Sequence, residues 1–593
     1  MATPQPVFID FEGIDGSGKT TLSNRLAEYL NSQSVTVHHA RDRGIFRSKI
    51  SRAIRDLTRD PSFLRMTDVT ELLLYVARDA QMIDEFIRPK LQPGQVVFSD
   101  RYLYSAITHC HHARGLDRKV VESVIDAAAG GLWPDLVVYC DVDPLTSRVR
   151  KKIQKINDRR LGDFGRKGLM GIGFREEMRN GFLALANEDP EKWLVIDNAT
   201  STIEESLQRI FEKVQVILEK KGFGSIADPE FASLTSPESS DGKVRSSLHG
   251  HVEELLTIQD PEERQDRALE VFLERLRTFL PQQSGHTAFY ITGLDMPEAH
   301  ELREQVVETE SPLVAYGLQG LRSESAMNFR ERLKDSASFY VARSLSGMAL
   351  EPNAIRLRGE LASAEPEQIA LALRGNDTPE AWELRHQLEK KASKEVLLSL
   401  RGLDTPEAWD IRDKRAEKKR YNPALLESLG QIDSERAWDI RERLSEDYMP
   451  WVLLSLRGLR SDRAWSWRLD NVHRAPKIIM KTLGRIDDPR AWDLRHKAMN
   501  HAKEVLDSIS GVENALAWKL RTELKDKWPN TSVSSLGAGN QSERAWNFRW
   551  TQLAAYPENL LLLKHIAKAG VRYQEMLADD YMEADGEEDA DFT

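Results

Sequence analysis

Residues 13 to 20 read GIDGSGKT, with Gly13 and Gly18 flanking Ile14, Asp15, Gly16 and Ser17, and Lys19 and Thr20 following at once. This is the pattern G-x-x-x-x-G-K-[ST]. Glycines let successive backbone N–H groups wrap an anion at a helix N-terminus. Lys19 is placed for the β- and γ-phosphates of a nucleotide, and the Thr20 hydroxyl, followed by that of Thr21, is a hard oxygen ligand for Mg²⁺. The chemistry is that of a bound nucleoside triphosphate.

Such a loop works only between a strand and a helix. Both are present: VFIDFEG is an apolar strand entering the loop, and KTTLSNRLAEYL is an amphipathic helix leaving it. Further along, GQVVFSDRY and DLVVYCDV are short apolar runs that end in acidic or basic residues. Strand-like and helix-like pieces alternate through residues 7 to 221. That rhythm predicts a parallel sheet with helices on both faces. Ligands bind beyond the carboxyl ends of such strands, where Asp15, Asp100 and Arg101 fall.

The ordered segments FEGIDGSGKTTLSNRLAEYL, ELLLYVARDAQMIDEFIRPKLQPGQVVFSDRYLYSAITH, ARGLD, GGLWPDLVVYCDVDP and FREEMRNGFLALA resemble the thymidylate kinase (dTMP kinase) family over nearly all of residues 7–221. The resemblance implies a P-loop kinase fold, with ATP and Mg²⁺ as cofactors and a nucleoside monophosphate, dTMP first, as acceptor. It implies that Asp15 lies beside the acceptor's phosphate and sugar, that Asp100 and Arg101 organise Mg²⁺ and clamp phosphates, and that Tyr75 stacks on the acceptor base. Ser105 falls in the same acceptor region. Arg148, Arg159, Arg160, Arg166 and Lys167 correspond to the family's mobile lid. The loop at 13–20 holds no arginine, so cations of that region must balance the charge on the transferred group.

The sequence departs from the family in the acceptor region. The family's Arg-Glu-Pro-Gly is RDRG here, leaving Arg41 or Arg43 for the acceptor phosphate. Four residues after Tyr75, where the family carries an arginine aimed at a thymine carbonyl, stands Asp79, with Arg78 before it. A carboxylate accepts hydrogen bonds and cannot donate one to a carbonyl. If Arg78 turns inward, thymine fits; if Asp79 does, a base with an exocyclic amino group fits better. A family aromatic near the sugar is His109 here, beside Cys110, His111 and His112. That cluster has no acidic ligand at metal-site spacing, so it reads as cleft-edge polar side chains. Altered base-reading residues leave two rivals open: a kinase for another nucleoside monophosphate, and a nucleotide-binding scaffold.

The chain has 593 residues, too many for one core. Residues 222–251, rich in Gly, Ser and Pro, read as a flexible linker. From 252 to about 577 the chain repeats itself ten times, every 26 to 29 residues, around Trp382, Trp409, Trp438, Trp465, Trp492, Trp518 and Trp546, with His300, Met327 and Ile355 in the same slot of three earlier copies. Ala precedes each anchor, Arg follows three residues later, and a Gly lies seven to nine residues before it. Ser, Thr or Asp with Pro starts one helix, and Gly in a left-handed conformation ends another. Each unit is then two helices that need neighbours to bury their apolar faces, an all-α solenoid. The units resemble HEAT-like repeats, though shorter, and match no family we can name. One Trp per repeat fills the core between repeats; the arginines stack on it or pair with a carboxylate of a neighbouring unit, or else form an exposed row for phosphates. Few contacts are expected across the linker, so residues 1–221 should keep kinase activity alone.

Net charge is −11, and removing the eight acidic residues of the tail 579–593 leaves about −3. Neither value suits a nucleic-acid binder. The N-terminus lacks a signal pattern, no apolar run reaches 18 residues, and the two cysteines, Cys110 and Cys140, make no disulfide framework. The expectation is a cytoplasmic enzyme. A protein on the solenoid and a second copy through the first domain are the partners left open.

Overall fold

The computed structural model describes residues 3–42, 45–60, 63, 66–159, 171–198, 201–227, 241–280, 283–348, 350–537 and 539–570. The acidic tail falls outside them, as do Arg43, Arg160, Arg166 and Lys167. The chain divides into two units: Met1–Lys152 with Phe164–Ser239, and Ile153–Asp163 with Ser240–Thr593.

In the first unit, five strands form one sheet: β1 (Val7–Glu12), β2 (Thr36–His39), β3 (Gln95–Asp100), β4 (Leu136–Asp141) and β5 (Trp193–Asp197). All pair in parallel, in the order β2-β3-β1-β4-β5. The connecting helices include α1 (Lys19–Ser32), α2 (Lys49–Arg59), α3 (Asp68–Met82), α4 (Arg118–Ala129), α5 (Pro144–Asn157), α6 (Gly171–Glu188) and α7 (Ile203–Lys220). β1 is buried along its whole length. Its alternate residues feed two cores: Phe8 meets side chains of α3, α4 and α6, whereas Ile9 and Phe11 meet Leu22, Leu26 and Leu207 of α1 and α7. The parallel sheet covered on both faces, expected from the sequence, is what forms. β1 lies at its centre, so the loop after β1 opens between the ends of β3 and β4.

The second unit is a run of helix pairs. Thr405, for example, caps the helix Pro406–Ala416 by accepting from the Ala408 amide, with Pro at the first helical position, and Asn422–Ser428 follows as the partner helix. Part of the segment expected to be linker is helical: Asp241–Thr257 is one helix. Leu248, Val252 and Leu255 recur at helical spacing on it and are buried, so packing overrides the local Ser and Gly content.

The two ends of the array meet. The helix Pro261–Phe279 packs on the last described helix, Leu560–Gly570, and Lys564 Nζ donates to Thr292 Oγ1 at 2.9 Å. Residues from Leu248 to Leu302 and from Val533 to Ala569 share one apolar core. The solenoid therefore closes on itself.

The repeated arginine explains how the units are stitched. All ten, from Arg303 to Arg549, are at most 2% exposed, which excludes an exposed phosphate-binding row. Arg412 is typical. It donates to the carbonyls of Leu400, Leu403 and Ser428 at 2.9 Å, tying the turn before its helix to the partner helix after it. Burial lowers its pKa to about 10, so it stays charged at neutral pH. Its guanidinium lies 4.8 Å from the Trp409 ring, and Arg436 of the next unit lies 4.4 Å from the same ring. The Trp409 indole N–H donates to Asp404 at 2.6 Å. A buried, hydrogen-bonded Trp between two guanidiniums is a packing device.

The left-handed residue of the turn is Gly in eight units, but Gln431 (φ 68°) and Arg485 (φ 60°) take that place in two. In those units the Gly, Gly430 or Gly484, stands one residue earlier.

Candidate active site

β1 ends at Glu12, and the backbone turns through Gly13 to Gly18 into α1. Gly16 and Gly18 adopt φ near +86° and +87°, which side chains rarely accept. A Cβ on Gly16 would also lie 2.7 Å from the Ser147 carbonyl oxygen. The loop is held from outside: Ser147 Oγ, on α5, donates to the Asp15 carbonyl, and the Asn198 side-chain amide donates to the Ser17 carbonyl.

Lys19 is buried, with Nζ 4.0 Å from Asp100 Oδ1, and the Thr20 hydroxyl donates to Asp100 Oδ2 at 2.5 Å. Burial works to raise the Asp100 pKa, yet Lys19, Arg41 and the Thr20 hydrogen bond hold it below the ordinary carboxylate value. Burial lowers that of Lys19, and Arg101 adds to the effect. An ionised carboxylate beside a threonine hydroxyl is a hard oxygen pair of the kind Mg²⁺ takes.

Arg101 has φ 71°, a left-handed conformation unusual for a non-glycine residue. Its backbone N–H donates to Phe11 O at 3.0 Å, and its side chain reaches Asp15 at 2.7 Å and Ser105 Oγ at 3.1 Å. Strain held by this many partners is typical of functional sites. Beneath it lies Glu12, which the sequence reading did not single out. Glu12 is fully buried, accepts from the Tyr102 and Ser105 amides at 3.0 Å and from Ser105 Oγ at 2.7 Å, and lies 3.6 Å from Arg101. Burial raises its pKa, against the pull of Arg101. Its signal was an acid at the end of an otherwise apolar strand. Asp141, at the end of β4, was also missed; Arg179 of α6 grips it through two bonds of 2.8 Å.

Beside Arg101 a pocket is lined by Tyr75, Arg78, Ser105, Ala106, His109 and Met178. Arg78 belongs to this lining; Asp79 is wholly buried and does not. The Arg78 guanidinium lies about equally far from the Tyr75 and Phe46 rings, at 5.0 and 5.1 Å. Arg41 stacks over Phe46 at 4.0 Å, and burial lowers its pKa to about 10. His109 meets Tyr75 and Phe174 edge-on, each at 4.7 Å, with Nε2 3.4 Å from Glu71, which also binds Arg114 at 2.8 Å.

The structure thus brings together Asp15, Lys19, Thr20, Asp100, Arg101, Ser105, Arg41, Tyr75, Arg78 and His109. Arg159 is exposed and falls in the segment grouped with the second unit, while Arg148 is half-buried on α5. Among the described residues no helix is long and apolar enough to cross a membrane.

Comparison with known proteins points the same way. A family model described as thymidylate kinase matches residues 11–210. The thymidylate kinase of Maridesulfovibrio salexigens is 31% identical over 208 residues, covering 35% of this chain and 94% of that protein. That of Nitratidesulfovibrio vulgaris (strain Miyazaki F) is 34% identical over 212 residues, 36% of this chain and 97% of its own. That of Finegoldia magna is 34% identical over 206 residues, 35% and 96% respectively. These matches cover about a third of the chain and leave the repeats unassigned. With this loop, the pocket beside Arg101 and relatives matched over nearly their full length, the chain belongs, through its first unit, to the thymidylate kinase family and is a phosphotransferase.

Proposed function

We propose that the first unit transfers the γ-phosphoryl group of ATP to the 5′-phosphate of dTMP, giving dTDP and ADP. A 5′-phosphate oxygen forms the new bond to the γ-phosphorus as the bond to the bridging oxygen breaks, and that electron pair leaves with ADP. The loop amides and Lys19 hold the ATP phosphates. Arg101, braced by Asp15 and Glu12, and Arg41 face the acceptor's phosphate. Thr20 and Asp100 would hold Mg²⁺, which supplies charge neutralisation between the phosphates.

The observation that carries the choice of base is Arg78 in the pocket lining with Asp79 buried behind it. A guanidinium donates and cannot accept, so it favours the carbonyls of thymine over the amino group of cytosine. The test is a panel of nucleoside monophosphates with Mg-ATP and purified protein; dTMP should be the best acceptor, and transfer to none would overturn the reading.

Ile50, Val69 and Leu73 on α2 and α3 are 54%, 49% and 52% exposed, an apolar face suited to a second copy. The closed repeat array offers a protein-binding surface. Two buried thiols outside any disulfide, Cys110 and Cys140, suit a reducing cytoplasm.

A further inference from the structure

Within the first unit, helix α6 touches both the pocket beside Arg101 and the end of β4. Phe174 meets the His109 ring edge-on at 4.7 Å, and Met178, one turn further on, lines the pocket with Tyr75 and Arg78. Residues four apart share a helix face, so these two side chains are what α6 presents there. The helix lies close against the segment that carries His109: a Cβ on Gly181 would fall 2.7 Å from the His112 ring.

The grip on α6 comes from the sheet. Arg179, next to Met178 in sequence, donates to both oxygens of Asp141 at 2.8 Å, and Asp141 Oδ1 also accepts from the Tyr139 hydroxyl at 2.9 Å. The Tyr139 ring stacks on Phe182 of α6 with centroids 5.1 Å apart. Burial works to raise the Asp141 pKa, yet Arg179 and the Tyr139 hydroxyl hold it below the ordinary carboxylate value. Stacked apolar rings can slide, whereas a bidentate pair of guanidinium and carboxylate fixes direction as well as distance. The backbone of Asp141 serves the other side of the site. Its carbonyl accepts from the Asn198 amide at 2.9 Å, and the Asn198 side chain holds the Ser17 carbonyl of the phosphate loop. One residue thus ties a wall of the pocket to the loop after β1.

We propose that Asp141 and Arg179 are positioning residues for the acceptor. Their ion pair sets where α6 places Phe174 and Met178, and so how the acceptor nucleoside lies relative to the phosphate loop. Neither of the pair lines the pocket itself. Misplacement by about 1 Å can cost up to about 10²-fold in rate. The inference rests on the kinase reading, which makes this pocket the acceptor's, and deepens it.

The test compares full-length wild type with Asp141→Asn, Arg179→Gln, the double variant and Arg179→Lys, which keeps the charge but loses the fork. Arg118→Gln is the control, because Arg118 holds Glu188, at the far end of the same helix, through two bonds of 2.7 and 2.6 Å. The readouts are kcat, the KM for dTMP, the KM for ATP and a melting curve. Expected is a KM for dTMP raised about tenfold in Asp141→Asn and Arg179→Gln, with Arg179→Lys in between. The KM for ATP should stay within about twofold of wild type, because the Asp141 carbonyl survives every change. The double variant should be no worse than the singles by more than about twofold, since both act through one pair. Arg118→Gln should keep the wild-type KM for dTMP. A wild-type KM for dTMP in both single variants would overturn the proposal. So would an equal rise in the KM for ATP, or an equal rise in the KM for dTMP in Arg118→Gln, because the effect would then come from any loosening of the unit. A wild type that phosphorylates no nucleoside monophosphate would overturn the kinase reading and this proposal with it, an outcome distinct from an active wild type with silent variants.

Discussion

Arg78 donates two parallel hydrogen bonds, each 2.8 Å, to the carboxylate of its own neighbour in sequence, Asp79. The pair solves a problem of placement. The Arg78 guanidinium must stay charged while 9% exposed among aromatic rings, and the wholly buried Asp79 supplies the compensating charge from behind. Burial opposes the charged form of Arg78, yet Asp79 raises its pKa above the ordinary value. The face turned to the pocket is left as a donor.

Asp79→Ala should therefore raise the KM for dTMP by about tenfold, with a smaller change in kcat, because it frees the guanidinium from its brace without touching the phosphates. The loss of one partner from a buried pair should also cost about 3–5 kcal/mol of stability in the first unit. Steady-state kinetics with dTMP varied at saturating Mg-ATP, alongside a melting curve, checks both. An unchanged KM would mean that Arg78 needs no support from Asp79.

Lys19→Ala should lower kcat by at least about 10²–10³-fold, since it removes a preorganised cation from the transferred group. Because Lys19 and Asp100 are both buried, 4.0 Å apart, a melting curve separates any loss of stability from the loss of rate. Single-turnover transfer from Mg-ATP measures it. Retention of more than a tenth of the wild-type rate would remove Lys19 from the transition state.

The seam of the closed array should respond to pH. Burial, with Lys568 and Arg303 nearby, lowers the Lys564 pKa to about 7. Unfolded lysine titrates near 10.4, so between pH 7 and about 10 the unfolded chain binds more protons than the folded one. Stability then rises with pH across that window, by up to about 1.4 kcal/mol per pH unit, and the cost of burying a charged Lys564 is fully present below pH 7. His565 is lowered to about 3 by burial and acts in a separate window, between 3 and about 6.5. The repeat transition should move to higher temperature from pH 7 to pH 9, and Lys564→Met should flatten that rise. An equal rise in the variant would assign it to other groups.

Gln431 occupies a left-handed turn position where eight units place Gly. Relieving that conformation is worth roughly 1 kcal/mol, so Gln431→Gly should raise the melting temperature of the repeats. In the opposite direction, Trp438, 2% exposed between the guanidiniums of Arg441 and Arg463, should cost about 3–5 kcal/mol as Trp438→Ala. A melting curve indifferent to both changes would contradict the packing account of the ladder.

What the sequence made legible was local or periodic. The loop from Gly13 to Thr20 needs only its own residues and a strand before it, and the Trp–Arg spacing repeats often enough to mark the helices. The direction of Arg78 against Asp79 was not legible. Adjacent helix positions point about 100° apart, and the phase of α3 is set by what its far side packs against. Glu12 hid inside an apolar strand, where a charge looks misplaced until Arg101 and the Tyr102 and Ser105 amides are seen around it. The closure of the array depends on contacts such as Lys564 to Thr292, far apart in the chain.

The most direct test of the central claim is competition between dTMP and dCMP for phosphoryl transfer from Mg-ATP, in the wild type and in Arg78→Ala. The wild type should convert dTMP in strong preference to dCMP, and Arg78→Ala should lose most of that preference while still consuming ATP. A wild type that prefers dCMP, or an Arg78→Ala variant with the wild-type ratio, would contradict it.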